Sequence, residues 1–164
     1  MDFTKGGLVE YGFLGFESVN DLYNNKCIKI PKTKGVYIVF RETLTKPVFE
    51  SKSKGGFHKR KNPTVSIQKL ENAWVENAYV LYIGKADLTS NTNLRKRIYD
   101  YLSFGKGKNV GHFGGRYIWQ LSDCYELKIA WKALDREDPK DLEEQLIIYF
   151  SNTYGKPPFA NIKL

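Results

Sequence analysis

Residues 82–101 read Tyr82-Ile83-Gly84-Lys85-Ala86-Asp87, a polar spacer ending at Asn93, then Leu94-Arg95-Lys96-Arg97-Ile98-Tyr99-Asp100-Tyr101. An apolar run stops at a glycine, and a lysine comes directly after it. Glycine there permits a turn or the close approach of another backbone. Asn93 suits the N-cap of a helix beginning at Leu94. Leu94, Ile98 and Leu102 recur at i, i+4 and i+8, the buried stripe of an amphipathic helix over 93–103. Arg97 and Tyr101 are four apart and share one edge of that stripe, as the wall of a site would. Arg95 lies on the opposite edge, and Lys96 points outward. The stretch predicts a strand over 79–84, a lysine at its mouth and a basic helix behind it.

Three further segments answer to it. Residues 35–41 (GVYIVFR) predict a strand, with Val36, Ile38 and Phe40 on one face and Tyr37 on the other. Residues 126–133 (ELKIAWKA) predict a third strand with one wet face, Lys128 and Lys132 pointing outward. Asp138-Pro139 opens a helix to about residue 152, with Asp as N-cap and Pro in the first turn. Its stripe is Leu142, Leu146, Tyr149 and Phe150. Glu143 falls at the edge of that stripe and Glu144 away from it, so Glu143 is the carboxylate placed to face a site. The pattern is α+β: a small antiparallel sheet of about three strands flanked by helices.

The remaining segments are less regular. Residues 1–34 read as an N-terminal arm, with Ser18 capping a short helix through Leu22. Residues 42–78 look like a basic insertion between the first two core strands, with a mobile, glycine-rich middle and a short helix over 66–77. Over 41–78 the net charge is +4, half of the chain's +8. Lys59, Arg60 and Lys61 in its middle suit a phosphate backbone. Residues 104–117 form a second glycine-rich loop carrying His112 and Arg116, without the spacing of a Walker loop or a dinucleotide fingerprint.

With 164 residues the chain is one domain, 1–164, with a core large enough to need no staples. Its positive charge favours an anionic partner, nucleic acid above all. The two cysteines are far apart and in no metal-ligand spacing. There is no secretory signal and no apolar run of membrane-spanning length, so a cytoplasmic protein is expected.

At these residues the chain resembles the GIY-YIG nuclease superfamily. Gly35-Val36-Tyr37 resembles its first motif, and Tyr82-Ile83-Gly84 matches the second letter for letter. Lys85-Ala86, Leu94-Arg95-Lys96-Arg97 and Tyr101 are similar to the excinuclease C nuclease module. Glu143, with Leu146 and Ile147 after it, fits the family's metal glutamate, and Asn161 after a proline turn fits its closing asparagine. The resemblance covers roughly 35–41 and 79–164. It departs in the long separation of the two tyrosine motifs and in the spacer before Asn93. No appended DNA-binding domain is expected after Asn161, so target selection falls to the insertion, the arm or the glycine-rich loop, as in restriction-type members.

The resemblance implies a metal-dependent endonuclease acting on double-stranded DNA. Glu143 would hold one Mg²⁺ (or Mn²⁺) per site, an ion that prefers oxygen ligands and keeps several waters. Tyr37 would take the proton from the attacking water, with Lys85 and Arg97 lowering its pKa from the usual value of about 10. Arg97 would also contact the phosphate, Tyr82 and Tyr101 would orient water or phosphate, and Asn161 would hold the site together. His112 is a second candidate base. Lys59, Arg60, Lys61, Arg95 and Arg116 are candidate DNA contacts. One site per chain means that a double-strand cut takes a homodimer, or two visits by a monomer. Two rivals stand beside this reading: a Glu126-Leu127-Lys128 nuclease motif, and a catalytically silent nucleic-acid-binding module of the same fold.

Overall fold

Strand β2 (Gly35–Phe40) lies inside the sheet, and all six of its residues are buried. It pairs antiparallel with β3 (Val80–Ala86) on one side and β4 (Lys128–Ala133) on the other. A fourth strand, β1 (Leu14–Ser18), pairs antiparallel with β4, giving the order β1-β4-β2-β3. The computed structural model describes residues 1–162, and these form an α+β arrangement of that sheet with five helices. The helices are α1 (Lys5–Glu10), α2 (Val19–Asn24), α3 (Ile67–Ala73), α4 (Leu94–Gly105) and α5 (Pro139–Tyr154). Among the described residues no helix is long and apolar enough to cross a membrane.

The alternation along β2 sorts the core into two layers. Val36, Ile38 and Phe40 pack with Leu8 of α1 and with Leu142, Leu146 and Phe150 of α5. Tyr37 and Val39 pack on the opposite face with Leu22 of α2 and Leu94, Ile98 and Leu102 of α4. Helix α4 starts where the sequence expects, because Asn93 Oδ1 accepts the Lys96 amide at 2.9 Å. Such a cap contributes about 1 kcal/mol. The three stripe residues are fully buried, and each buried aliphatic side chain adds about 1.5–3 kcal/mol. At α5, Asp138 Oδ1 accepts the amides of Lys140 and Asp141, and Gly155 ends the helix at φ 83°.

Several expectations need correction. The sheet has four strands, because part of the arm forms β1. A bulge between Gly15 and Glu17 breaks its alternation, and Phe16 takes φ 54°, so no period of two is legible there. Strand β4 is interior, and the face expected to be wet is covered at its middle: Ala130 is fully buried, Lys128 and Lys132 stay partly exposed, and the Lys132 ammonium donates to the Tyr11 carbonyl at 3.1 Å. The insertion is not loosely held. Gln120, itself buried, donates to the carbonyls of Glu50 and Val65 and accepts the Val65 amide. Arg41 pairs with Asp123 at 2.9 Å and donates to the Thr45 carbonyl. The insertion's helix stops at Ala73, and α4 runs on to Gly105 into the glycine-rich loop. Glu126 lies in a 3₁₀ turn (Cys124–Glu126) rather than on the strand, which removes the strand geometry that the Glu126–Lys128 motif requires.

Candidate active site

β3 is an edge strand, and its free side is closed by the tail. The Ala160 amide donates to the Leu81 carbonyl. Asn161 then imitates a neighbouring strand: its Oδ1 accepts the Ile83 amide at 2.9 Å and its Nδ2 donates to the Ile83 carbonyl at 2.8 Å. One primary amide thereby fixes the strand that carries Tyr82 and Gly84. Asn161→Ala leaves both Ile83 groups without a partner, so it is expected to lower the unfolding free energy by about 1–3 kcal/mol. Urea denaturation reads this directly, and an unchanged midpoint would contradict the role.

Gly84 stands opposite Tyr37 in the β2–β3 register. A Cβ at residue 84 would lie 2.5 Å from Tyr37 Cζ and 2.7 Å from its hydroxyl. The glycine therefore leaves the volume that the phenol occupies. Tyr37 sits among Tyr82, Tyr101 and His112, with ring centroids 6.0 Å from Tyr82 and 6.1 Å from Tyr101.

Two adjoining hollows of about 380 and 370 Å³ open where β3, α4 and α5 converge, and they share Tyr82 and Glu143 as a common wall. The polar hollow is lined by Lys85, Asp87, Thr92 and Arg97, the other by Phe113, Gly114, Gly115, Arg116, Ile147 and Asn161. Helix α4 brings Arg97 from one side of the sheet, and α5 brings Glu143 from the other. Among the described residues the Arg97 guanidinium and the Glu143 carboxylate have no hydrogen-bond or ion-pair partner in the protein, whereas Lys85 is paired with Asp87 at 2.8 Å.

Burial raises the Glu143 pKa, opposed by the nearby charges of Lys85 and Arg97. A half-buried carboxylate without a protein partner fits a hard cation. Among the described residues no three His, Cys, Asp or Glu side chains gather as a metal cage. A cation held here would have Glu143 as its protein ligand and fill its other positions with water and substrate oxygens, a coordination that suits Mg²⁺.

Behind Tyr82 lies a buried chain of proton-bearing groups. His112 is 1% exposed; its Nδ1 lies 3.2 Å from the Gly114 carbonyl and its Nε2 3.1 Å from the Tyr37 hydroxyl. A carbonyl can only accept, so the proton belongs on Nδ1, and Nε2 accepts the Tyr37 hydroxyl proton. The Tyr101 ring lies tilted against His112, centroids 4.6 Å apart, and its hydroxyl donates to the Gly115 carbonyl at 2.9 Å, holding the same turn. Tyr101 is thus scaffold behind the cleft and does not line it.

The electrostatics overturn one expectation. Burial raises the Tyr37 pKa well above 10, and Arg97 opposes this without reversing it. Burial also pushes Tyr82 up to about 12. His112 is pushed down to about 3, by burial first and by the Arg97 charge second. This lowering makes stability depend on pH. The unfolded chain takes up a proton below about pH 6.5 that the folded chain refuses until about pH 3. Stability is therefore fullest above 6.5 and falls as pH drops, by up to about 1.4 kcal/mol per unit. The stability advantage of the native chain over His112→Gln is expected to shrink between pH 6.5 and 4.5 in urea titrations. A constant gap would contradict the buried neutral imidazole.

The candidate nucleic-acid contacts divide. Lys59, Arg60 and Lys61 are exposed on the insertion, and Arg116 lines the cleft. Arg95 is occupied elsewhere: its Nε donates to the Ile30 carbonyl at 2.6 Å and a terminal nitrogen to the Ile28 carbonyl at 3.0 Å. It clamps the α2–β2 connection onto α4 rather than reaching for a ligand. Asp87, Thr92 and Phe113 enter the cleft without having been singled out in the sequence. Asp87 had a signal, since strand alternation puts it on the same side as Lys85.

Comparison with models of protein families, with curated proteins and with solved structures finds no match.

Proposed function

We propose that the protein is a divalent-metal-dependent endonuclease of the GIY-YIG type, hydrolysing phosphodiester bonds of double-stranded DNA. The observation that carries the reading is the shared wall of the two hollows. Beside that wall of Tyr82 and Glu143 lies the Arg97 guanidinium, it and the Glu143 carboxylate being without a protein partner among the described residues, and behind Tyr82 the buried Tyr37 is hydrogen-bonded to a neutral histidine. Each answers one need of the reaction: stabilising charge on phosphate, anchoring a cation, and moving a proton.

Arg97 takes the non-bridging oxygens of the scissile phosphate, where its planar fork suits paired acceptors. Lys85, held by Asp87, adds a second positive charge. Glu143 anchors the cation. When bound, Mg²⁺ or Mn²⁺ supplies charge stabilisation to the phosphate and to the departing 3′ oxygen. Tyr82 presents the phenol that meets the cleft, with Tyr37 directly behind it. The attacking water gives its proton to the Tyr82 hydroxyl as Tyr82 gives its own to Tyr37 and Tyr37 gives its own to His112 Nε2, so each phenol gains one proton and loses one. Neither tyrosine has to exist as a free phenolate, so their raised pKa values are no obstacle. A phosphate seated on Arg97 also cancels the second cause of the low His112 pKa, which makes the imidazole a better acceptor when substrate is present.

Expulsion of the 3′ oxygen leaves 3′-hydroxyl and 5′-phosphate ends. The test is therefore nicking of supercoiled plasmid by the purified protein in Mg²⁺, blocked by EDTA, with nicks that DNA ligase reseals. Salt-sensitive binding with no nicking in Mg²⁺ or Mn²⁺ would identify the silent binding module instead.

A further inference from the structure

Among the described residues the insertion leaves Leu44, Val48, Phe57 and Ile67 exposed, and Phe57 is the aromatic one of them, set just before a run of cations. Phe57 is 52% exposed, and Lys59, Arg60 and Lys61 come after it, all exposed. The turn is built firmly. The Gly56 amide donates to the Phe104 carbonyl and the Phe57 amide to Asn109 Oδ1, both at 2.9 Å. Gly111 lies against the His58 ring, and a Cβ there would come within 3.4 Å of Nε2. Lys59 and Arg60 take φ 51° and 62°, a left-handed conformation that non-glycine residues keep only where their surroundings hold them.

The turn is also continuous with the cleft. The Lys61 ammonium lies 6.0 Å from the centre of the Phe113 ring, and the Arg116 guanidinium stacks on that ring at 4.4 Å. Phe113 and Arg116 line the apolar hollow beside Glu143. A phosphate backbone that left the cleft along these cations would run past the turn that carries Phe57. Cations alone track phosphates, but an uncovered phenyl ring gains only from an apolar surface, and in DNA that surface is the face of a base.

We propose that Phe57 is a wedge that inserts at a base step of duplex DNA, with Lys59, Arg60 and Lys61 holding the flanking phosphates. The inference rests on the nucleic-acid reading above and adds the substrate feature that the insertion recognises, a step that unstacks readily. Inserted apolar side chains open base steps at a cost set by stacking, and a mismatched step has met part of that cost already.

The test measures binding, in EDTA and over a range of salt, to a matched duplex and to the same duplex with a central two-base-pair mismatch. The native protein is expected to prefer the mismatched duplex by about tenfold. Phe57→Ala should lose that preference to within about twofold while keeping the salt slope, because an aromatic contact releases no counterions. Phe57→Trp should retain the preference. Replacing both Lys59 and Arg60 by alanine should flatten the logarithmic salt slope by about 2 and leave the preference intact. A Phe57→Ala protein with native affinity and preference, or a native protein blind to the mismatch, would overturn the wedge and leave the nuclease reading standing. Failure of the native protein to bind either duplex would overturn the nucleic-acid reading itself.

Discussion

Arg97→Ala is expected to slow phosphodiester cleavage by about a thousandfold, with an unfolding midpoint close to native. The guanidinium has no protein partner among the described residues, so its removal leaves no orphaned acceptor in the fold. Its charge nonetheless reaches four ionisable groups of the site. It opposes the upward shifts of Tyr37, Tyr82 and Glu143 and contributes to the low pKa of His112. Removing one preorganised donor from a transition state costs about 10²–10³ in rate. Arg97 combines that role with a push toward ionisation that Tyr37, Tyr82 and Glu143 share. Arg97→Lys should recover little, since an ammonium restores the charge without the planar fork. Single-turnover cleavage beside a urea titration checks both halves. A rate within about threefold of native would remove Arg97 from the chemistry.

Glu143→Gln is expected to be at least as severe, with a loss of about 10³ or more, because it removes the cleft carboxylate that has no protein partner among the described residues. The substitution keeps the shape of the side chain and removes only charge. Folding should be unharmed or slightly favoured, since burial already penalises the ionised form. The loss should persist at high Mg²⁺ and in Mn²⁺. Calorimetric titration with Mn²⁺ gives a readout independent of cleavage: native protein should bind one ion and Glu143→Gln none. Equal binding by both would place the cation elsewhere.

Local signals were legible in the sequence: the Asn93 cap and Leu94-Ile98-Leu102 stripe of α4, the alternation of β2, and Asp138-Pro139 at the head of α5. Glu143 was legible because a helix stripe has edges, and one carboxylate fell on the right one. Long-range partners were not. Arg95 and the Ile28 carbonyl are 67 positions apart, so nothing near Arg95 marks it as a clamp. Gln120 binds the insertion across 55 and 70 positions, which a glycine- and lysine-rich composition cannot reveal. His112 reads as a loop residue, and only the fold brings it under Tyr101 and onto Tyr37, 75 positions away. Strand β1 was hidden by its own bulge. Cations near Tyr37 in the sequence do not reveal its ionisation, because desolvation dominates for a fully buried phenol.

The most direct test of the nuclease reading compares native protein with Glu143→Gln on supercoiled plasmid in Mg²⁺, in a single experiment that also records DNA binding. The expected result is EDTA-sensitive nicking by the native protein, no nicking by Glu143→Gln, and equal binding by the two. Native protein that binds but never nicks, or a Glu143→Gln protein that nicks at the native rate, would contradict it.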